Sequence, residues 1–394
     1  MINPFFCYIF SFIVALLIYS LGWSELYPSL SFSLLGFLFI TFIIHFVFGY
    51  KIQKSQIIRF TTLPKDQQWP VGVTLFIYIL WIMEFFYEGG IPVLKIILNQ
   101  PYNYRLFGIP SLHVFAVTFS SFYTVYLFQL FLSHKSTIIL LLFLINLLAA
   151  LLIYSRAMLF FNLTSCLFIY IIYSKGISYP KILYVSLALI PLFYLFGFLG
   201  SLRVSREAKE SYNNENFMEI GKATNEFRKS VLPKEYFWAY IYISSPIANL
   251  QKNVCDYPVE AFSIRKFAEL INSEVFPDFL SKRINSLFKL DLYTDKRIPG
   301  PFNVSTIYSR SYSYAGWVGM ALMAGALLLF PLLFLKLLPP SSDFFISGWA
   351  ILCTMYLFLV YDNTLRFTGL SFQLVYPVIL NLLYKRVTPH LRVS

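Results

Sequence analysis

Charge is what this chain has least of: 13% of its 394 residues are Asp, Glu, Lys or Arg, about half the share usual in a soluble domain. With 58% hydrophobic residues beside it, that scarcity excludes an ordinary soluble domain of this length. Cysteine is sparse as well. Cys7, Cys166 and Cys353 lie in apolar runs, and only Cys255 falls in a long polar stretch. A loop disulfide within one chain is therefore excluded. No Cys/His spacing resembles a metal site, and no Asp-x-Asp pair occurs between the apolar runs. That argues against a metal-bound nucleotide or phosphosugar, and we expect neither metal nor cofactor. The N-terminus lacks a basic leader region and a small-residue cleavage site, so the first apolar run reads as retained. There is no internal repeat and no low-complexity segment.

What the chain has is aromatic residues and a basic balance. Phe, Trp and Tyr make up 20% of it, which suits extended membrane-interface belts. The formal net charge is +12, yet the Lys and Arg residues are spread over many loops and form no basic helix. Nucleic acid is therefore not the expected partner. Charge that sets membrane topology, together with sites for an anionic lipid or substrate, accounts for the excess.

A membrane-crossing helix needs about 20 mostly apolar residues. Such runs fall at 3–22, 30–49, 71–87, 111–132, 137–154, 157–173, 182–200, 313–335, 344–361 and 367–384. The fifth and sixth are separated only by Ser155 and Arg156. One helix through both would be about 55 Å long at 1.5 Å per residue, too long for a single crossing. The pattern predicts a tight helical hairpin there, although no Gly or Pro marks its turn. Orientation follows the short-loop basic residues. Lys51, Lys54, Arg59, Lys65, Lys135, Lys175, Lys181, Lys336, Lys385, Arg386 and Arg392 fall on one side, against Lys95, Arg105, Arg156 and Arg366 in the opposite short loops. About ten spans with both ends cytoplasmic satisfy that bias, in an all-α polytopic protein. The expected organisation is residues 1–200 as spans one to seven, with an outer loop at about 88–110. Residues 201–312 follow as one large outer loop, and 313–394 hold the last three spans and a cytoplasmic tail.

Within the large loop, Leu280, Ile284, Leu287 and Phe288 share one helical face. Tyr236, Phe237, Trp238, Tyr240 and Tyr242 read as an interfacial helix lying on lipid headgroups. Ile298-Pro299-Gly300-Pro301 reads as an extended return to the membrane. Gly197 with Gly200, and Gly316 with Gly319, have the spacing of close helix packing.

Ionisable groups at the outer ends of spans are the candidates for chemistry. Arg156 stands at the apex of the hairpin, where topology requires no charge. Arg203 and Arg206 follow the seventh run, three apart and on one face. Arg310 precedes the eighth run, Arg366 lies beside Asp362 and Asn363, and Arg105 belongs to the first outer loop. Guanidinium suits phosphate because its fork donates two parallel charge-assisted hydrogen bonds. The competing role for each arginine is a surface ion pair or a headgroup contact. For proton transfer, His113 is the only outer histidine, while Glu84 and Glu88 lie four apart at the outer end of the third span. Helix capping is the competing role for both glutamates.

The run Glu88-Gly89-Gly90-Ile91-Pro92, followed by Tyr104-Arg105-Leu106-Phe107-Gly108-Ile109-Pro110-Ser111-Leu112-His113, resembles the O-antigen polymerases of Gram-negative bacteria. Phe198–Arg203, Ile220–Arg228 and Tyr240–Pro246 are similar too, as is the plan of many spans with one large outer loop. Where relatives carry Asn-Arg-Gly before the sixth span, this chain has Ser155-Arg156-Ala157, keeping the Arg and losing the Gly. The resemblance implies a GT-C-like glycosyltransferase of the bacterial inner membrane. Its donor is a growing glycan on undecaprenyl diphosphate, and its acceptor is one repeat unit on the same carrier. Transfer to the non-reducing end is metal-independent and inverts the anomeric carbon. Arg156, Arg203, Arg206, Arg310 and Arg366, joined by Arg105, would hold the diphosphates, and His113 or Glu88 would deprotonate the acceptor hydroxyl. A chain-length regulator and a flippase are the implied protein partners. An O-antigen ligase shares the architecture and the diphosphate problem. A flippase is disfavoured by the absence of two similar halves.

Overall fold

The computed structural model describes residues 2–64, 69–98, 100, 102, 107–176, 179–207, 214–258 and 263–387, without the side chains of 179, 181–183, 185–186, 203–207 and 384–387. The described residues are helical with no strand, apart from one isolated bridge between Ser24 and Ala223. In chain order the helices are α1 (Pro4–Tyr19), α2 (Phe32–Ser55), α3 (Trp69–Tyr87), α4 (Pro92–Ile97), α5 (Leu112–His134), α6 (Thr137–Leu152), α7 (Arg156–Tyr173) and α8 (Tyr179–Glu207). The large loop supplies α9 (Glu215–Ile220), α10 (Asn225–Lys229), α11 (Tyr236–Asp256), α12 (Ile264–Leu270) and α13 (Asp278–Phe288). Then come α14 (Ile307–Leu337), α15 (Phe345–Phe358), α16 (Thr368–Ser371) and α17 (Val375–Val387).

Among the described residues, α2, α3, α5, α7 and α14 are long and apolar enough to cross a membrane. Shorter apolar helices cover Pro4–Tyr19, Thr137–Leu152, Leu187–Leu202, Phe345–Phe358 and Thr368–Leu383, at the other five positions the hydropathy pattern marks. Their outward faces are apolar. Phe32, Phe39, Ile79, Phe86, Leu141, Leu187 and Leu333 are all exposed, as expected where lipid rather than water is the surrounding solvent.

The hairpin between α6 and α7 exists and needs no glycine. Tyr154 takes the left-handed backbone conformation at φ +56. Ser155 then caps α7 by accepting from the Met158 amide, while its own amide donates to the Ala150 carbonyl at 2.9 Å. A side-chain hydroxyl therefore satisfies one of the unpaired amides at a helix start.

The aromatic run at 236–242 departs from the interfacial role expected of it. Phe237, Trp238 and Tyr240 are buried, Tyr236 is partly buried, and Tyr242 is half exposed. Their rings are taken up by protein: Trp238 stacks on Phe217 at 3.5 Å, and Tyr240 packs on Trp23 and Tyr27. Gly197 and Gly200 of α8 make this approach possible, since a Cβ on them would lie 1.9 Å from the Glu235 carbonyl and 2.7 Å from the Trp238 ring. The expectation for Gly316 also changes. Instead of mid-helix packing, Ala315 (φ −152) and Gly316 (φ 55) break α14. The turn folds the two parts together so tightly that a Cβ on Gly319 would lie 2.0 Å from the Ser311 carbonyl. The amphipathic helix α13 appears as its pattern predicts, with Leu287 and Phe288 outward and exposed. The stretch after it is non-helical, and Gly300 has a positive φ of 106.

Candidate functional site

The C-terminal end of α3 carries Glu84 and Glu88 one turn apart. Gly89 and Gly90, both at positive φ, then turn the chain away from the helix. The chain returns through Gly108 to start α5, and each glutamate meets it there. Glu88 accepts the Gly108 amide at Oε1, 2.8 Å. Glu84, fully buried, takes His113 Nδ1 on Oε2 at 2.8 Å. A carboxylate on one ring nitrogen fixes the tautomer and orientation of an imidazole and leaves Nε2 to act. The Phe107 and Trp81 rings stand edge-on to the imidazole, with centroids at 5.4 and 6.1 Å. Gly108 is needed for this geometry. It sits at φ +98, and a Cβ there would lie 2.5 Å from the His113 ring.

Helix α13 runs from this pair to a second cluster. At its middle, Arg283 donates to the Ser111 hydroxyl at 2.8 Å, two residues before His113 in sequence, and lies 3.9 Å over the Phe279 ring. At its start, the Asp278 amide donates to the Arg366 carbonyl at 2.8 Å, and the Asp278 carboxylate receives Arg366 Nε at 2.5 Å. The Phe279 amide donates to Thr368 Oγ1 at 3.0 Å. The apolar Phe115, Phe279 and Phe372 rings fill the space between the helices.

The second cluster surrounds a chamber of about 220 Å³ lined by Glu274, Asp295, Arg297, Arg310, Asp362 and Asn363, with Asn303, Ser305, Thr306 and Tyr361 completing its wall. A short π-helical turn over Ile271–Val275, continuing α12, carries Glu274; single π turns of this kind recur at functional sites. Asn363 donates to the Glu274 carbonyl at 2.7 Å and to its Oε2 at 3.0 Å. Oε1 makes no hydrogen bond, and its cationic neighbour, Arg366, stands off at 3.7 Å. Burial pushes the Glu274 carboxyl up to about 8, against the pull of Arg366 and of the Asn363 hydrogen bond. Across the chamber, Asp295 is buried under Arg297, which donates from Nε at 3.1 Å and from its terminal nitrogen at 2.8 Å, with Arg310 at 3.9 Å.

The fold thus gathers several residues that the sequence singles out. His113, Glu84 and Glu88 form one cluster, and Arg310 and Arg366 belong to the other. Both arginines face carboxylates, whereas the expectation gave them to diphosphates. Arg156 stands apart at the first position of α7, exposed, with its guanidinium 5.8 Å from the Tyr154 ring. Arg203 and Arg206 lie in the last turns of α8, and their side chains are outside the described residues. Arg105 also lies outside the described residues. Sequence reasoning missed Glu274, Asp295 and Arg297. Asp295 and Arg297 sit in a charge-rich stretch that reads as solvated surface. Glu274 did carry a signal, being a lone carboxylate inside Leu270-Ile271-Asn272-Ser273-Glu274-Val275-Phe276, where burial without a partner is costly. Among the described residues, no group of three or more His, Cys, Asp or Glu side chains is arranged to hold a metal ion. No protein-family model, curated protein or solved structure matches the chain.

Proposed function

We propose that this chain is an O-antigen polymerase of the bacterial inner membrane, crossing it about ten times with both ends in the cytoplasm. It moves a growing glycan from undecaprenyl diphosphate onto the non-reducing end of a lipid-linked repeat unit. The observation that carries this reading is the Glu84–His113 pair. A buried carboxylate orients a half-buried imidazole through a 2.8 Å hydrogen bond, at the outer end of two apolar helices. A base placed there suits a substrate whose anchor stays in the membrane. Glu88 is the weaker candidate for that role, because its carboxylate already receives the Gly108 amide.

In this mechanism His113 Nε2 takes the proton from the acceptor sugar hydroxyl as that oxygen bonds to the donor's anomeric carbon. The bond from that carbon to the diphosphate oxygen breaks, and the electron pair leaves on undecaprenyl diphosphate. Guanidinium groups stabilise the charge that develops there. Arg156, exposed at a helix start, fits this task. Arg203 and Arg206 belong to the same expectation, with Arg105. A ligase acting on the same carrier would use the same parts, so a cellular readout separates the two.

The test is a lipopolysaccharide gel from a strain lacking the gene, complemented by wild type, His113→Gln or Arg156→Ala. The expected result is loss of the long ladder, a single repeat unit left on the core, and rescue by wild type alone. Bare core would point to a ligase or flippase and overturn the function. Full rescue by His113→Gln would remove the histidine from the chemistry.

A further inference from the structure

The chamber around Glu274 is a polar cavity that the proposed chemistry leaves without a task. Its charges argue against the diphosphate. Arg297 is held in a two-point pair by Asp295, Arg310 faces the same carboxylate, and Arg366 is taken by Asp278. Asp295 and Asp362, with Glu274 beside them, line the chamber against the two guanidinium groups of Arg297 and Arg310, so a polyanion would find no surplus positive charge. The volume is also limiting. At about 220 Å³, the chamber is smaller than pockets for drug-sized ligands, which run from ~300 to 1,000 Å³.

Its polar lining has a different match. Guanidinium and amide groups donate, carboxylates accept, and the Ser305 and Thr306 hydroxyls can do both. Glu274 Oε1 is buried and makes no hydrogen bond, a state costly enough to call for a ligand or water. We infer that the chamber is a saccharide subsite that takes one uncharged sugar residue, with Glu274 Oε1 bonding a ring hydroxyl. Resting on the reading of the substrate as a glycan, this inference places a sugar of the acceptor repeat unit there and takes Arg310 away from the diphosphate.

Every element around Glu274 contributes to its setting. Arg366, Asp362 and Asn363 come from the connection after α15, Asp278 from α13 and Tyr314 from α14. Asp295, Arg297 and Arg310 face it across the chamber. Held up near 8, the Glu274 carboxyl is largely protonated at neutral pH and can donate as well as accept.

The experiment is ligand-observed saturation-transfer NMR on the purified full-length protein in detergent. The probes are glucose, galactose and N-acetylglucosamine, with inorganic pyrophosphate as competitor. At least one sugar should show transfer, unaffected by pyrophosphate. The effect should fall tenfold or more in Glu274→Leu, and equally in Asn303→Trp, which fills the mouth of the chamber without touching the buried network. No transfer to wild type from any sugar, equal transfer to Asn303→Trp, or displacement by pyrophosphate would each overturn the subsite. Sugar binding together with an unchanged ladder in the deletion strain would sink the polymerase function and leave the subsite standing.

Discussion

Two buried glutamates, Glu84 and Glu274, each leave Oε1 without a hydrogen bond and differ in what meets Oε2 and in the charges around them. Glu84 has one close partner, an imidazole at 2.8 Å that is itself partly exposed. Glu274 has an amide at 3.0 Å, an arginine out of hydrogen-bond range, and further carboxylates nearby. A buried carboxyl either finds a partner for its charge or gives the charge up. The first arrangement fixes the orientation of an imidazole. The second keeps a polar group in reserve inside a cavity. In the proposed mechanism, the comparison separates a site for moving a proton from a site for holding a neutral ligand.

Removing the orienting carboxylate breaks the comparison hardest. Glu84→Gln should lower repeat-unit polymerisation by ~10²-fold or more, the scale of a positioned acid–base group. Transfer measured on lipid-linked repeat units would check it, and rescue by raised pH would show that the imidazole alone suffices. Gly108→Ala should come next. It places a methyl 2.5 Å from the His113 ring at a φ of +98, a strain on the order of 1–3 kcal/mol. A lowered melting temperature with a further loss of rate is expected; wild-type values for both would mean that the loop relaxes freely.

The smallest effect sharpens the Glu274 side. Its carboxyl is raised from 4.5 to about 8 on folding, so the folded state binds more protons between those values. The associated stability is complete below about 4.5 and is lost as pH rises through about 8. Wild type should therefore lose melting temperature relative to Glu274→Gln by a few degrees from pH 5 to pH 9. A constant difference would mean that the carboxyl ionises normally.

The apolar runs, the hairpin at Ser155–Arg156 and helix α13 were legible because each depends on local periodicity. The Glu84–His113–Glu88 cluster was legible in part: the spacing put both glutamates on one face, and the return through Gly108 decided which of them took the histidine. The second cluster was not. Asp295, Arg297 and Asn363 meet through a non-helical return whose course no periodicity encodes. The aromatic run of α11 misled for the same reason, since rings suited to a headgroup layer are equally suited to packing on Trp23 and Phe217. Tyr154 at positive φ lay outside what residue preference would suggest.

Helix α13 is fixed at its start by Arg366 and Thr368 and at its middle by Ser111. It therefore behaves as a strut as well as a surface element. Loads placed on one cluster reach the other through six residues of helix, Asp278 to Arg283, about 7.5 Å long at helical rise. Substitutions made at both clusters are therefore expected to depart from additivity, and the size of that departure measures how stiffly the helix transmits.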